Sequence, residues 1–335
     1  MKILYAVQAT GNGHISRAYQ LIPILEKWGE VDVFLSGSNS SMKCPLPVKY
    51  RSAGLSLFYK NCGHLDYSRM FTQNSLIKSI RESKSLPVHL YDKVINDFDF
   101  ITARACSYRK KKCIHFGHQA SFMSKKVPRP SKISTLGEWV LKNYAPSSLF
   151  AGLHFERYDD FIFPPVIKKE ILQSTPTNQE HITVYLPSFH PYCLEKIFLS
   201  IKEIEFQWFL PEIDKPYKNK NITYYPVDNH LFTKSLIESQ GVITGGGFET
   251  PAEVMFLKKK LMSIPIRNHY EQICNAAALR LMGVTVLDEI NALNFHQNIM
   301  DWINGPTPVF DQQVNNVDET IERVLDMDSL NYSLH

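Results

Sequence analysis

The stretch TGGGFETPAE, residues 244–253, decides the fold of the second half of this 335-residue chain. It begins at the end of the short apolar run Val242–Thr244, and three glycines then lead to Thr250 and Pro251. Proline favours the first turn of a helix, and the N–H groups of a helix start favour negative charge. No Gly-Lys-Ser/Thr follows, so the stretch is not a P-loop. The pattern predicts a strand, loop and helix that hold phosphate groups.

Short apolar runs alternate with helix-like segments on both sides of this stretch. Lys2–Ala9 is such a run, and apolar residues recur at helical spacing over His14–Trp28. We expect Pro23 to kink or break that helix. Alternating strands and helices predict a parallel sheet covered on both faces. The predicted fold class is therefore α/β, with two doubly wound, Rossmann-like domains that face each other across a cleft.

The alternation stops once, at FPPV in positions 163–166, and restarts at Ile182. We therefore predict an acceptor-side domain over residues 1–165 and a donor-side domain over residues 166–335. The last predicted helix, near 315–326, is a candidate to pack back on the first domain. A chain of this length fits two domains.

Composition excludes several classes of protein. Hydrophobic residues make up 44% and charged residues 21% of the chain, which excludes a disordered protein. No window approaches the roughly 20 apolar residues of a membrane span, and the N-terminus resembles a strand more than a signal peptide. The six cysteines include no C-x-x-C pair, so we expect no zinc cage. We expect a cytoplasmic protein.

A second glycine loop, GNGH at positions 11–14, follows the first predicted strand. It is not the dinucleotide fingerprint, because Ser16 stands where the third glycine belongs and no ribose-binding acid ends the second strand. A simple tight turn is the alternative. His14 would be accessible at this strand-to-helix junction and would titrate near neutral pH. Asp97 also ends a predicted strand, and we expect its carboxylate to orient the His14 imidazole.

Three side chains after the glycine loop at 245–247 suit a nucleoside and a sugar. Glu253 lies one turn inside the predicted helix, where its carboxylate can hold two ribose hydroxyls. Gln272 and Asn275 share one face of the next predicted helix, and their amides suit sugar hydroxyls.

These residues together resemble the GT-B glycosyltransferases, especially the branch that contains the bacterial N-acetylglucosaminyltransferase of peptidoglycan synthesis. G-G-G-x-x-T-x-x-E at 245–253 is the most specific part; Q-x-x-N-A at 272–276 and G-x-G-H at 11–14 support it. The resemblance covers nearly the whole chain. It implies that a nucleotide-sugar donor binds the second domain and an acceptor binds the first.

The resemblance also implies that Gly246, Gly247 and Thr250 face the donor diphosphate, that Glu253 holds the ribose, that Gln272 and Asn275 hold the donor sugar, and that His14 lies near the acceptor. His14 is the candidate general base, with Asp97 beside it. Ser188 alone remains of the usual Gly-Ser-x-Gly, because the chain has Leu-Pro-Ser-Phe-His at 186–190. The donor-binding candidates are Ser188, Gly245, Gly246, Gly247, Thr250, Glu253, Gln272 and Asn275. The acceptor-binding candidates are Gly11, Asn12, Gly13, His118 and Gln119.

Two patterns that suggest metal binding receive another interpretation. Asp97-Phe98-Asp99 spells the D-x-D of metal-dependent glycosyltransferases, but it lies in the half without the nucleotide loop. His115 and His118 are spaced like a ligand pair, yet strand alternation puts them on opposite faces. We expect no metal site and no cofactor other than the nucleotide-sugar substrate. The aromatic residues do not alternate with basic ones, so we expect no nucleic-acid partner.

The predicted activity is inverting, metal-independent glycosyl transfer of the hexosyl type from a nucleotide-diphosphate sugar, UDP-linked by resemblance, in glycan or cell-envelope biosynthesis. A nucleotide-sugar hydrolase, which could use His14 on water, remains an alternative; Arg17 after G-x-G-H also fits it. A UDP-sugar 2-epimerase and a non-catalytic binding module are further alternatives.

Charge is unevenly distributed between the halves. Residues 1–165 hold 23 Lys and Arg against 12 Asp and Glu, a net +11, and residues 168–335 carry −7. Part of the basic excess lies at Lys125, Lys126 and Arg129, next to the apolar residues Phe122, Met123 and Val127. This pattern suits an anionic or lipid-linked acceptor and peripheral contact with the inner face of an anionic membrane. A solvated basic surface or a soluble anionic acceptor remains the alternative.

Overall fold

The computed structural model describes residues 1–9, 11–37, 46–55, 59–60, 64–65, 75–291, 293–311 and 313–327. It contains two seven-stranded sheets and a small two-stranded one. The first sheet is wholly parallel, in the order β3-β2-β1-β6-β7-β8-β9. Its strands are β1 Lys2–Gln8, β2 Glu30–Ser36, β3 Val48–Ser52, β6 Lys93–Asp97, β7 Ile114–Gly117, β8 Leu149–Leu153 and β9 Ile162–Phe163; β4 Tyr59–Lys60 and β5 His64–Leu65 form the small sheet.

The second sheet has the order β12-β13-β11-β10-β14-β15-β16 and is parallel except between β12 and β13. Both large sheets change direction beside their first strand, so each is doubly wound as predicted. The strands are β10 His181–Tyr185, β11 Glu205–Leu210, β12 Tyr217–Asn219, β13 Ile222–Pro226, β14 Gly241–Gly245, β15 Lys260–Ile264 and β16 Thr285–Val286.

Helices connect the strands and cover the sheets. They are α1 Asn12–Leu25, α2 Leu76–Ser85, α3 Phe100–Arg109, α4 Thr135–Asn143, α5 Lys169–Leu172, α6 Glu195–Ser200, α7 Asn229–Glu238, α8 Glu249–Phe256, α9 Tyr270–Leu281, α10 Phe295–Asn304 and α11 Val317–Asp326. Among the described residues, no helix is long and apolar enough to cross a membrane.

Each sheet is buried on both faces, which explains the apolar runs of the sequence. Along β1, every residue from Ile3 to Val7 is fully buried. In the second sheet Trp208 of β11 is fully buried against Phe198 and Tyr224. Truncating so large a buried ring to alanine costs about 3–5 kcal/mol, so these strands fix the platform from which the loops project.

Two local expectations differ from the structure. Helix α1 continues through Pro23 to Leu25, so the loss of the proline N–H in the last turn does not end the helix before that residue. Helices α3 and α4 were not expected; α3 is buried along most of its length, so it shows no helical alternation of polar and apolar residues. The sequence also predicts one or two strands over Val48–Tyr59; β3 occupies residues 48–52 of this stretch, and residues 56–58 lie outside the described residues.

The last helix contacts the first half of the chain. The Lys93 Nζ donates to the carbonyl of Leu325 at 2.6 Å, and Lys27 pairs with Asp318 at 2.5 Å. Asn315, just before α11, donates to the carbonyl of Pro164 at 2.5 Å. These contacts connect the end of the chain to the first sheet, although the predicted boundary at 165/166 stays a prediction.

Candidate active site

One cavity lies between the loops that follow the strands of the two sheets. Its volume is about 580 Å³, within the range of pockets that bind substrates and cofactors. The first half contributes residues 11–13 and Ser16, and the second half contributes the glycine loop, the start of α8 and the loop after β10. Of the predicted site residues, the cavity is lined by Gly11, Asn12, Gly13, Ser188, Gly245, Gly247, Thr250, Glu253 and Gln272.

The glycines of the loop at 245–247 serve different purposes. A Cβ atom on Gly246 would lie 2.9 Å from the Cβ of Gln272 and 3.0 Å from the Cβ of Pro265. Glycine is therefore required at 246 for close packing within the second half. A Cβ atom on Gly247 would have no neighbour within 4 Å, so this position borders open space in the cavity.

Helix α8 begins at the cavity with its N–H groups uncapped. The residue before it, Phe248, makes no side-chain capping hydrogen bond, and Thr250 of the first turn lines the cavity. Uncapped N–H groups and the helix dipole together make a positive site. This arrangement can hold the oxygens of a diphosphate.

Glu253 lies in a buried ion pair that the sequence did not predict. Its carboxylate is 3.3 Å from the Nζ of Lys168, and both side chains line the cavity. Burial raises the pKa of Glu253, and Lys168 offsets only part of that rise. The ribose contact expected of Glu253 stays a prediction. The ammonium of Lys168, just before α5, adds a positive charge to the cavity wall.

Gln272 and Asn275 hold the glycine loop in place. The Gln272 Oε1 accepts hydrogen bonds from the N–H groups of Gly246, at 3.2 Å, and Ile266, at 3.0 Å. Asn275 is fully buried, and its Nδ2 donates to the carbonyl of Gly246 at 3.0 Å. Gln272 also borders the cavity, whereas the burial of Asn275 corrects the expectation that its amide faces a donor sugar.

His14 and Asp97 form the expected contact. The His14 Nδ1 lies 2.9 Å from the Oδ1 of Asp97, and the carboxylate accepts this hydrogen bond. When Nδ1 of neutral His14 carries the proton, the lone pair of Nε2 is available to accept a proton from another group. Burial lowers the pKa of His14, but Asp97 raises it by more, so the pKa lies above its ordinary value. The side chain is 14% exposed, which leaves the imidazole accessible to a small group.

Arg17 completes this cluster. Its Nη2 donates to both oxygens of Asp97, at 2.7 and 2.8 Å, and its Nη1 donates to the carboxylate of Glu249 in the second half. Burial raises the pKa of Asp97, but Arg17 and His14 lower it to about 2. Arg17 follows His14 by one helical turn, and this spacing is the sequence signal that could have placed it in the site.

His118 and Gln119 lie between the two halves rather than at the open cleft. The His118 ring stacks on Phe248 with centroids 4.1 Å apart, and its Nε2 is 2.7 Å from the Oδ1 of Asn275. Gln119 Nε2 donates to Glu271 at 3.1 Å. Both predicted acceptor residues are buried, which corrects that expectation. Asn12 also crosses between the halves, donating to the Tyr185 hydroxyl at 3.0 Å.

The two patterns that suggested metal binding have other partners in the structure. The Asp99 carboxylate accepts from the N–H of Thr102 at 2.6 Å and caps α3, while Asp97 faces Arg17. His115 is buried against Phe98, and burial lowers the pKa of His115 to about 4. No group of three or more potential metal ligands occurs in the part of the chain that the structure describes.

Comparisons with known proteins agree with this fold. No curated protein sequence matches the chain. Among solved structures, Arabidopsis thaliana UGT89C1 complexed with UDP is similar at 14% identity, with a TM-score of 0.63 over 97% of this chain and 99% of that one. Acinetobacter baumannii MurG is 12% identical, with a TM-score of 0.52 over 97% and 99% of the chains. The forosaminyltransferase SpnP is 13% identical, with a TM-score of 0.55 over 97% and 95%.

These structural likenesses show the fold, and the family follows from a sequence profile. The profile described as glycosyl transferase family 1 matches residues 1–303, which is most of the chain. The protein therefore belongs to glycosyl transferase family 1 and is a glycosyltransferase of the GT-B fold.

Proposed function

We propose that the protein transfers a sugar from a UDP-linked donor to an acceptor hydroxyl, with inversion at the anomeric carbon and without a divalent metal. One observation carries the proposal: the cavity between the two halves is lined both by the uncapped start of α8 and by the loop Gly11–Gly13, and His14, which Asp97 holds, directly follows that loop. A helix start suits a leaving diphosphate, and an oriented imidazole suits proton removal.

The donor is proposed to bind with its diphosphate at Gly247 and Thr250. Neighbours in fold support this choice, since UGT89C1 is described in complexes with UDP and with UDP-L-rhamnose. The N–H groups of the α8 start and the ammonium of Lys168 supply positive charge near such a diphosphate. Glu253 would then accept hydrogen bonds from ribose hydroxyls, and Ser188 would lie near the phosphates.

In the proposed reaction the Nε2 of His14 takes the proton of the acceptor hydroxyl as the acceptor oxygen attacks the anomeric carbon. The bond from that carbon to the diphosphate oxygen breaks in the same step, and UDP leaves. A single displacement inverts the configuration. Asp97 stabilises the imidazolium that forms, and the α8 N–H groups stabilise the negative charge on the leaving group.

A panel of nucleotide sugars, incubated with and without candidate acceptors and analysed by mass spectrometry and NMR, tests this proposal. Glycosylated acceptor with inverted anomeric configuration supports it, and the His14→Gln variant should lose this product by about 10²–10⁴ in kcat. Free sugar without acceptor would indicate a hydrolase. An altered sugar still attached to the nucleotide would indicate an epimerase. Tight binding without turnover would indicate a binding module.

The acceptor is proposed to come from an anionic membrane surface, although not through the apolar residues first expected. Phe122 and Val127 are buried, and Arg129 pairs with Glu138. The neighbouring helix α4 instead exposes apolar side chains; Leu136 is 71% and Trp139 60% exposed. Exposed apolar residues together mark interaction sites.

Basic residues flank α4 in the sequence, with Lys132 before the helix and Lys142, which pairs with Glu138, in its last turn. Apolar and cationic side chains on one short helix suit an interface with anionic lipids. Sedimentation with vesicles tests the proposal. The protein should bind phosphatidylserine vesicles more than neutral ones, and Trp139→Ser should reduce binding, whereas Tyr192→Ser, an exposed aromatic of the other half, should not. Equal binding by wild type and Trp139→Ser would refute it.

A further inference from the structure

Arg17 connects the two halves of the proposed active site through a single side chain. It lies on α1, is 1% exposed, and presents separate N–H groups to two carboxylates. Its Nη2 contacts both oxygens of Asp97, and its Nη1 contacts Glu249, the first residue of α8. Asp97 ends a strand of the first sheet, whereas Glu249 follows the glycine loop of the second sheet.

The backbone around Arg17 leaves room for this cluster. A Cβ atom on Gly117, at the end of β7, would lie 2.5 Å from the Oδ1 of Asp97. A Cβ atom on Gly13 would lie 2.5 Å from the Oε2 of Glu249. Glycine at both positions therefore leaves room for the two carboxylates that contact the guanidinium.

Only arginine can satisfy this geometry. A guanidinium is planar, keeps its charge when buried, and carries five N–H donors in a fixed fork. The fork can hold one carboxylate with one edge while another N–H reaches the second carboxylate. Lysine at this position would keep the charge but would lack the fork.

We infer that Arg17 is a positioning residue that fixes the His14–Asp97 pair relative to the donor loop. The inference rests on the proposed function, because that function makes His14 the base and the α8 start the diphosphate site. Arg17 holds Asp97, which in turn holds the imidazole. It also neutralises Glu249, a carboxylate that would otherwise repel a diphosphate at the start of α8.

The charges that face His14 give the inference a specific signature. Asp97, Glu249 and Glu271 are the carboxylates that act on the imidazole, Arg17 is the cation, and the nearby His115 is neutral because its pKa is about 4. The Arg17 Nη2 lies 3.1 Å from the His14 Nδ1 and disfavours the imidazolium. Removing Arg17 should therefore raise the pKa of His14, and removing the charge of Glu249 should lower it.

The test is an NMR titration of His14 in the full-length chain with labelled histidine, the resonance being assigned through His14→Gln. The titration midpoint should rise by about 1 pH unit in Arg17→Gln and fall in Glu249→Gln, as expected when a neighbouring charge is removed. The matched control is Arg81→Gln, which removes an exposed arginine of the same half and should leave the midpoint unchanged.

Kinetics provide a second measurement. Arg17→Lys should lower kcat by roughly tenfold or more, because misplacing a catalytic group costs rate, while KM for the donor changes much less. His14 midpoints that stay at the wild-type value in Arg17→Gln and Glu249→Gln would overturn the inference. If Arg17→Gln does not fold, Glu249→Gln alone decides. Absence of sugar transfer in the wild type would refute the proposed function, and the titration would still decide the role of Arg17.

Discussion

Replacing Asp97 with asparagine tests the charge cluster at its centre. The substitution keeps the size of the side chain but removes a charge that Arg17 contacts at 2.7 and 2.8 Å and that His14 contacts at 2.9 Å. Arg17 and His14 both donate hydrogen bonds to Asp97, and the single carbonyl oxygen of an asparagine can accept only some of these bonds. The Nδ2 of asparagine would then face N–H groups.

The expected magnitude follows from burial. Removing one partner of a buried ion pair lowers the free energy of unfolding by about 3–5 kcal/mol. Because Arg17 keeps its contact with Glu249, we expect Asp97→Asn to lie at the lower end of this range. Losing the orienting carboxylate should lower kcat by about 10²–10⁴. Without the charge of Asp97, the effect of burial on the imidazole outweighs the remaining effects, so the pKa of His14 should fall below its wild-type value.

The pH dependence of stability supplies a further check. The pKa of Asp97 is lowered from 3.8 to about 2. Its contribution to the free energy of unfolding is therefore fully present above pH 3.8 and is lost as the pH falls toward 2. The pKa of His14 is raised above 6.5, so its contribution is present below pH 6.5 and is lost as pH rises through the folded value. The pair therefore stabilises the wild type most between these limits.

Urea unfolding at pH 6 and kcat at saturating substrates measure both effects, and Asp160→Asn, an exposed aspartate of the same half, is the control. Between pH 4 and pH 2 the unfolding free energy of Asp97→Asn should fall less than that of the wild type, because only the part due to Asp97 is removed and carboxylates such as Asp32 and Glu138 still titrate. A loss of less than about 1 kcal/mol together with a kcat within a few-fold of wild type would refute the reasoning.

Further predictions concern the cavity and its chemistry. Gly246→Ala should destabilise the fold by about 1–3 kcal/mol in urea unfolding, whereas Gly247→Ala should leave stability unchanged and weaken UDP binding in calorimetry. Lys168→Met should leave Glu253 unpaired and lower UDP affinity by about tenfold; unchanged affinity would remove Lys168 from the site. The kcat–pH profile should rise with an apparent pKa above 6.5, because only neutral His14 is a base. Transfer should persist in EDTA, and loss of activity restored by Mn²⁺ would contradict metal independence.

The sequence predicted those features that depend on one strand or one turn. The buried strands of both sheets are continuous apolar runs, and His14 and Asp97 meet because β1 and β6 are neighbours whose carboxyl ends lie together. Helix α3 escaped prediction because burial on several sides removes the alternation that marks a helix. Helix α4 could have been predicted, because Ser134 caps it and Leu136, Trp139 and Val140 recur at helical spacing.

The remaining parts of the site depend on how closely the two halves approach. His118 and Asn275 look like ligand-facing residues in sequence, yet they bond to each other across the interface at 2.7 Å. Lys168 lies in a polar connecting segment whose path no local pattern specifies, and its partner Glu253 is 85 residues away. Glu249 shows no signal of its own, since its role arises only from contact with Arg17.

The most direct test of the account is an experimental structure of the wild-type protein with UDP bound. The account predicts the diphosphate within hydrogen-bonding distance of the N–H groups at Gly247 and Thr250, with its terminal phosphate directed toward His14 and the ribose beside Glu253. UDP bound outside this cavity, or inside it with the diphosphate directed away from the start of α8, would contradict the central claim.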